Sequence, residues 1–295
     1  MADIKEERKA QAQKHNALMK GAFASDTKAC VEATVIYEDG EGRELEIPEA
    51  AFEATETEVT TQFSVNALYR ESGKVTVAFP VTFTKPGGNY EDGAFGPEQM
   101  LCSESNLYQV LCGLRTQYHT KNRGFSRGML FTDRALFMPQ VSFSRDGNIC
   151  KADLIGIPEP NRTRALENNR SEREADQCLA QRIEAILRIA AANGTETLIV
   201  GAFGCGRQGY PASQVIDLFK VWIDAHPGSL KKVVFSVPRA CFDEFDAVFG
   251  TPKAPEPVKA APVEEEEDEE FSIEGIELPE GVTFRSQATA RNSSR

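Results

Sequence analysis

The chain has 295 residues, of which 41% are hydrophobic and 26% charged, a composition typical of a globular protein with a buried core. Its 45 acidic and 33 basic residues give a formal net charge of −12, which disfavours non-specific binding to nucleic acid. No apolar run approaches the ~20 residues that span a bilayer, and the amino terminus is too polar for a signal peptide. We therefore expect no nucleic-acid or membrane partner and an intracellular, cytoplasmic protein, with the nucleus left open.

The two ends of the chain differ in composition from the part between them. Residues 3–20 are charged and rich in Ala, Gln and Lys, which predicts an exposed helix leading into the fold. Residues 251–295 carry 11 acids and 5 bases, a net charge of −6, and include the acidic run 264–270. We therefore predict an N-terminal helical extension over 1–24, one domain over 25–250, and an acidic disordered tail over 251–295 whose partner is unknown.

Strand and helix signals alternate along the middle of the chain. Residues 74–83 are β-branched and aromatic, as in a buried strand, and Pro97 opens a helix. The apolar residues of this predicted helix fall on one face: Met100, Leu107, Leu111, Leu114 and Tyr118. Residues 151–157 predict another strand.

The second half of the domain repeats this alternation. Ser171 and Glu174 form a capping box at the start of a helix that Asn193 and Gly194 end. A strand over 197–202, a helix opened by Pro211 and a strand over 231–237 follow. Strands separated by helices of this length indicate right-handed βαβ units. We predict an α/β fold with a mostly parallel central sheet and helices on both faces.

Cysteine and histidine usage gives no sign of a metal site. The seven cysteines are scattered without a C-x-x-C pair, which favours a reducing compartment over a disulfide framework or structural zinc. The three histidines are isolated in sequence. We therefore expect neither a metal nor another cofactor.

Two glycine-rich loops follow predicted strands and enter predicted helices. The first loop, residues 85–97, reads KPGGNYEDGAFGP, and the second loop, residues 201–211, reads GAFGCGRQGYP. Ligands of such sheets bind at the carboxyl ends of the strands, and glycines allow backbone N–H groups to approach a ligand at a helix N-terminus. Two such loops together predict a phosphate-containing ligand.

The second loop contains Gly204-x-Gly206-x-x-Gly209, the dinucleotide-binding pattern. A dehydrogenase would need an acid or a phosphate-binding Arg after the next strand, where only Arg239 is available, and the loop lies near the end of the domain. We therefore reject a dehydrogenase, and the chain has no P-loop motif. Cys205 has no adjacent histidine, so packing is favoured over a role as nucleophile.

These loops resemble the signature of the microbial-type poly(ADP-ribose) glycohydrolases, a branch of the macrodomain fold. The family pattern has three glycines, Gly-Ala, a Gln-Glu-Glu triplet and Ser-x-Leu-Tyr. The residues in register are Pro86, Gly87, Gly88, Gly93, Ala94, Ser105, Leu107 and Tyr108. Residues 138–146 and 157–161 resemble the middle segments of the family, and 198–209 its second ligand loop. The resemblance implies a macrodomain-like three-layer sandwich that binds ADP-ribose or ADP-ribosylated protein.

The chain departs from the family pattern at three places. Asn89 replaces the third glycine, Gln208 replaces an aromatic residue, and the triplet reads Pro97-Glu98-Gln99. In the family the second glutamate of the triplet is the catalytic acid and the first supports the ribose hydroxyls. By register, Gln99 occupies the catalytic position, and a carboxamide cannot transfer the proton that glycosidic cleavage needs.

Two main hypotheses follow. The chain hydrolyses O-glycosidic ADP-ribose linkages with Glu98 as the acid, or it binds ADP-ribose or a related nucleotide without turning it over. For Glu98, a favourable position at a helix N-terminus is an equally good explanation. A third hypothesis, an acidic scaffold that recruits partners, explains neither loop. The expected ligand-binding residues are Gly87, Gly88, Asn89, Gly93, Ala94, Gly204, Cys205, Gly206, Arg207, Gln208 and Gly209.

Overall fold

A seven-stranded sheet forms the centre of the fold in the computed structural model, which describes residues 2–251. Its strands are β1 Val35–Tyr37, β2 Glu56–Thr60, β3 Val75–Pro80, β4 Ala135–Arg145, β5 Asn148–Ile157, β6 Thr197–Gly201 and β7 Lys232–Ser236. Their order is β1-β4-β5-β3-β6-β7-β2. Strands β5, β3, β6, β7 and β2 pair in parallel, whereas β1–β4 and β4–β5 are antiparallel. The predicted mostly parallel sheet is confirmed.

Helices cover both faces of this sheet. They are α1 Ala2–Ala22, α2 Ala24–Ala33, α3 Glu41–Glu44, α4 Ser64–Leu68, α5 Pro97–Glu104, α6 Leu107–Gly113, α7 Arg162–Glu167, α8 Glu172–Ala192, α9 Ala212–Ala225 and α10 Arg239–Phe249. Successive strand residues point to opposite faces, because side chains alternate along a strand. In β6, Leu198 and Val200 pack with α8, α9 and α10, whereas Ile199 packs with α2, α4, α5 and α6. The result is the predicted three-layer α/β sandwich.

The N-terminal helix α1 is more than an exposed extension. Ala12, Asn16 and Met19 are buried, while the residues between them are mostly exposed. The ring of His15 hydrogen-bonds the Ser105 carbonyl at 2.9 Å. The expectation of an exposed helix is therefore wrong for one face of α1, since polar composition concealed the few small and apolar residues that pack inward. The proposed boundary at residue 24 stays a prediction.

The helix predicted from Pro97 through Tyr118 is interrupted at Ser105. Ser105 is extended and bridges Phe143 of β4, and Asn106 exchanges hydrogen bonds with Ser142 through its N–H and its Oδ1. These contacts divide the segment into α5, α6 and a π-helical turn over Arg115–His119. The apolar periodicity was correct, but it could not show that a neighbouring strand would take up the backbone groups.

The capping residue predicted for the long helix α8 lies at the expected place. The Ser171 hydroxyl accepts a hydrogen bond from the Glu174 N–H at 3.2 Å and caps α8. All seven cysteines are free. Within residues 2–251 no helix is long and apolar enough to cross a membrane, and no cluster of His, Cys, Asp or Glu there is suited to a metal ion. The predicted acidic tail lies, after Thr251, outside the described residues.

Candidate functional site

A cavity of about 460 Å³ lies at the carboxyl ends of β2, β3, β6 and β7. One wall is the second loop, and another is the end of the first loop where α5 begins. Two further walls come from residues 61–65, after β2, and 236–238, before α10. The cavity therefore lies where parallel strands of an α/β sheet bind ligands.

The second loop depends on glycines in the left-handed region. Gly204, Gly206 and Gly209 have φ of +89°, +67° and +88°. A Cβ at Gly209 would lie 2.3 Å from the Thr163 hydroxyl oxygen, and one at Gly204 would lie 2.8 Å from Leu179 Cδ1. At Gly206 no atom lies within 4 Å of such a Cβ. The two outer glycines are thus required for packing, whereas Gly206 faces open space.

The Arg207 N–H of the second loop has no acceptor within the described part of the chain. The N–H groups of Cys205 and Gly209 donate to Ala202 and Gly206, and those of Gly206 and Gln208 are directed at the Tyr210 and Cys205 carbonyls by a β-bridge and a 3-10 turn. Arg207 is exposed, lines the cavity and has no carboxylate partner among residues 2–251. A free N–H beside an uncommitted guanidinium supplies two kinds of donor suited to an anion.

Glu159 holds the second loop from within, and sequence analysis did not single it out as a site residue. Its carboxylate accepts hydrogen bonds from the Gly204 N–H at 2.5 Å and from Gln208 Nε2 at 2.6 Å. Burial raises the pKa of Glu159, and these two hydrogen bonds oppose that change. A carboxylate that follows a strand by two residues is a weak signal in sequence, because nothing there shows which loop it meets.

The first loop is packed more tightly than the second. Gly87 and Gly88 have φ of +61° and +57°, and a Cβ at Gly87 would lie 2.6 Å from the Tyr108 ring. A Cβ at Gly93 would lie 2.2 Å from the Lys5 carbonyl oxygen of α1. Asn89 and Ala94 line a separate cavity of about 320 Å³ against α1. Of the first loop, only Phe95, Gly96 and Pro97 line the larger cavity with the second loop.

Gln99 is bound to the backbone of the first loop. Its Nε2 donates to the Gly87 carbonyl at 3.1 Å and to Glu98 Oε2 at 3.4 Å. Because both partners are acceptors, the amide is oriented with its nitrogen toward them. A Cβ at Gly96 would lie 2.8 Å from Gln99 Oε1, so the loop encloses this side chain. The residue at the predicted catalytic position thus holds the loop together.

Glu98 is almost completely buried, with 2% of its surface exposed. The Thr82 hydroxyl donates to its Oε2, and its Oε1 has no hydrogen-bond partner among the described residues. Burial, opposed by the hydrogen bond from Thr82, raises the pKa of Glu98 to about 7. A carboxyl group with such a pKa is suited to proton transfer near neutral pH, but Glu98 does not line the larger cavity.

Exposed aromatic rings at the cavity were also missed by sequence analysis. Phe63 and Phe95 are 53% and 57% exposed, with ring centroids 6.4 Å apart in an edge-to-face arrangement. The Arg8 guanidinium of α1 lies 4.4 Å from the centre of the Phe95 ring. Both phenylalanines line the cavity. In the sequence, each of these Phe residues is isolated among polar residues and is indistinguishable from an ordinary core residue. Only the fold shows that the two lie side by side.

Cys205 lines the cavity beside these groups, but its environment does not activate a thiol. Burial raises the pKa of Cys205 to about 12, and its side chain packs against the hydrophobic core. The thiolate is the nucleophilic form, so a raised pKa opposes reactivity. This geometry agrees with the packing role favoured from the sequence.

Residues 5–146 match the family model described as microbial-type poly(ADP-ribose) glycohydrolase (PARG), catalytic domain. The predicted family resemblance is confirmed. The match covers the first loop, Glu98 and Gln99, and it ends before Glu159 and the second loop of this PARG-like chain. No curated protein matches the sequence.

Solved bacterial PARG structures share the fold over most of their length. PARG from Thermomonospora curvata has 24% identity and a TM-score of 0.72, over 83% of this chain and 100% of that chain. The same enzyme bound to the inhibitor ADP-HPD has 24% identity and a TM-score of 0.70, over 82% and 99%. PARG from Deinococcus radiodurans in complex with ADP-ribose has 21% identity and a TM-score of 0.68, over 76% and 98%. At these identities the likeness shows the fold.

Proposed function

We propose that this chain binds ADP-ribose, free or attached to protein, in the larger cavity and hydrolyses its linkages poorly or not at all. The observation that carries the proposal is the free Arg207 N–H beside the uncommitted Arg207 guanidinium, in a glycine-rich loop that lines the cavity. These donors line a cavity of about 460 Å³, large enough for a nucleotide-sized ligand. PARG structures of the same fold were solved with ADP-ribose and with ADP-HPD, which supports this ligand class.

The parts of the ligand are assigned by the chemistry of the cavity walls. The diphosphate takes the N–H groups of the second loop and the N-terminus of α5, because both carry partial positive charge. The adenine takes the end lined by Phe63 and Phe95, whose exposed rings offer a stacking surface. The distal ribose then points toward Gly96 and Pro97, where the first loop lines the cavity.

Weak or absent hydrolysis follows from the group at position 99. Glycosidic cleavage needs an acid that protonates the leaving oxygen, and the Gln99 amide has no proton to transfer at neutral pH. Both amide hydrogens of Gln99 are already directed at Gly87 and Glu98. The first loop therefore offers no proton donor for cleavage at position 99.

Hydrolysis by Glu98 is the second candidate function, and one observation favours it. Burial raises the pKa of Glu98 to about 7, which keeps a proton available near neutral pH. Against it, the carboxyl is almost completely buried and bound to Thr82. For Glu98 to act, the first loop would have to open toward the ligand.

Calorimetric titration with ADP-ribose, followed by turnover assays on ADP-ribosylated protein and on polymer, tests both candidates. We expect binding with turnover at or near background. Brisk turnover that Glu98→Ala eliminates would establish the second candidate in place of the first. A chain that neither binds ADP-ribose nor cleaves its conjugates would contradict the ligand assignment itself.

A further inference from the structure

Glu159 lies on a rigid support. The carbonyl of Pro158, the residue before it, accepts a hydrogen bond from Arg182 Nε at 3.1 Å, and Arg182 is fully buried in α8. Two residues after Glu159, the Asn161 N–H donates to the Met129 carbonyl at 2.9 Å. Asn161 also caps α7 by accepting from the Arg164 N–H at 2.8 Å. The backbone that carries Glu159 is therefore fixed on both sides.

The contacts of Glu159 engage both ends of the segment expected to meet a phosphate. Gly204 and Gln208 lie on either side of Arg207, whose N–H is free within the described chain. Gly204 and Gln208 donate to different carboxylate oxygens, Gly204 through its N–H and Gln208 through Nε2. The loop is thus held from its inner side, and the Arg207 N–H between these anchors is left unused.

We propose that Glu159 is a positioning residue that holds the second loop in its anion-binding conformation. This inference rests on the proposed binding of ADP-ribose. Two charge-assisted hydrogen bonds fix the loop before a ligand arrives, so less conformational entropy is lost on binding. Gln208, which replaces the aromatic residue of the family, supplies the side-chain donor for one of them. The conformation of the second loop therefore depends on the hydrogen bond between Gln208 and Glu159.

Two substitutions at position 159 separate hydrogen bonding from volume. Glu159→Leu retains bulk but removes both acceptors and leaves the buried Gly204 N–H unpaired. Glu159→Gln retains an acceptor for Gly204, and its own amide can pair with a Gln208 amide turned by 180°. Glu167→Leu makes the same change at an exposed position of α7 and serves as control.

We expect Glu159→Leu to weaken ADP-ribose binding about tenfold or more, the value of one hydrogen bond to a charged group. Glu159→Gln should stay within about threefold of wild type, since its contacts are restored as neutral hydrogen bonds. The amide proton resonance of Gly204 should move in Glu159→Leu and move less in Glu159→Gln, because its acceptor is lost only in the former. Glu167→Leu should match wild type in both measurements.

Each possible result either supports or overturns the positioning role of Glu159. Wild-type affinity in Glu159→Leu, or an equal loss in both position-159 variants, overturns the positioning role. If Glu159→Leu does not fold, the affinity of Gln208→Leu for ADP-ribose tests the inference instead. An affinity lowered about threefold or more supports the inference, and wild-type affinity overturns it. If the wild-type chain does not bind ADP-ribose, the proposed function fails. The Gly204 resonance in the position-159 variants then decides by itself whether Glu159 holds the loop.

Discussion

The two glycine-rich loops follow adjacent parallel strands, β3 and β6, yet they differ in how their backbone groups are used. In the first loop the Gly88 and Tyr90 N–H groups donate to Lys85 and Gly87, and α1 packs against Gly93. In the second loop the Arg207 N–H has no acceptor within the described chain, and Arg207 lines the larger cavity. The first loop is closed by internal contacts, whereas the second presents the donors of Arg207 to a cavity.

The difference extends to the carboxylate beside each loop. Glu98 accepts a hydrogen bond from Thr82 and lies against the Gln99 amide, so it is enclosed beside the first loop. Glu159 reaches the second loop from the segment after β5 and leaves the Arg207 N–H free. One carboxylate is enclosed beside its own loop, whereas the other anchors a loop whose Arg207 donors face the cavity.

The largest expected effect comes from restoring an acid in the first loop. Gln99→Glu should raise turnover of ADP-ribose conjugates by ~10²–10⁴, the usual contribution of a general acid. A carboxyl there would face the Gly87 carbonyl and Glu98, two acceptors within 3.4 Å, so it would retain its proton as an acid must. Steady-state assays on modified protein and polymer measure this, with Gln99→Ala as the control that should remain inert. Equal inertness of both variants would place the defect elsewhere, at Asn89 or Gln208.

The second loop should respond in binding rather than turnover. Gly206→Phe directs a ring into the open space beside Arg207, so we expect ADP-ribose binding to be lost while the fold remains. The left-handed φ of +67° adds a strain of about 1–2 kcal/mol. Gly147→Phe is the matched control, with φ of +82°, open space and a position in the β4–β5 turn. Scanning calorimetry should show a similar loss of stability in both variants, whereas titration calorimetry should show a loss of ADP-ribose affinity only in Gly206→Phe. Unchanged affinity in Gly206→Phe would show that the second loop is not part of the site.

The buried carboxyl of the first loop should make stability depend on pH. Folding raises the pKa of Glu98 from 4.5 to about 7, so the folded protein binds the proton more tightly, and stability is lost as the pH rises between these values. Glu98→Gln removes this dependence and should raise the free energy of unfolding at pH 8 by about 3 kcal/mol, with little change near pH 4. Urea denaturation at the two pH values measures the difference. Glu167→Gln, an exposed change, should alter neither value; a pH-independent effect of Glu98→Gln would contradict the raised pKa.

A smaller effect is expected at the aromatic end of the cavity. Phe63→Ala and Phe95→Ala should each weaken ADP-ribose binding about tenfold, because a base stacked on an aromatic ring is worth about 1–3 kcal/mol. Both rings are more than half exposed, so the fold should tolerate their loss. Phe125→Ala removes a similarly exposed ring that does not line the cavity and should bind as wild type does. Equal affinities in all three variants would place the adenine elsewhere.

The sequence predicted the fold well because periodicity and capping are local signals. The strands β3, β5, β6 and β7 and the helices that follow β3 and β6 lie close to their predicted positions. The prediction failed where a distant element takes up backbone groups that would otherwise bond within a helix. This happens at Ser105, whose backbone bridges Phe143 of β4. Burial on α1 was missed for the same reason.

The candidate site was predictable only in part. The motif marked Glu98, Gln99 and both loops, but it could not show that Gln99 binds the first loop or that Asn89 faces a different cavity. Glu159, Phe63 and Phe95 reach the cavity from residues distant in sequence. The spacing of residues along the chain does not predict which distant residues come together at the cavity, because the order of strands in the sheet determines this.

The smallest effect should come from deleting residues 251–295, and it tests whether the two loops are self-sufficient. Both loops and the described residues that line the larger cavity lie before position 251. The deleted segment has a net charge of −6 and a seven-residue acidic run, which cannot be buried without a large desolvation cost. We expect an unchanged melting temperature and an unchanged affinity for ADP-ribose in the truncated chain, measured by thermal unfolding and calorimetry. At low salt, removing this charge should slightly speed association with an anionic ligand, since like-charge repulsion falls. A large fall in melting temperature would show instead that the apolar residues within 271–282 pack against the domain.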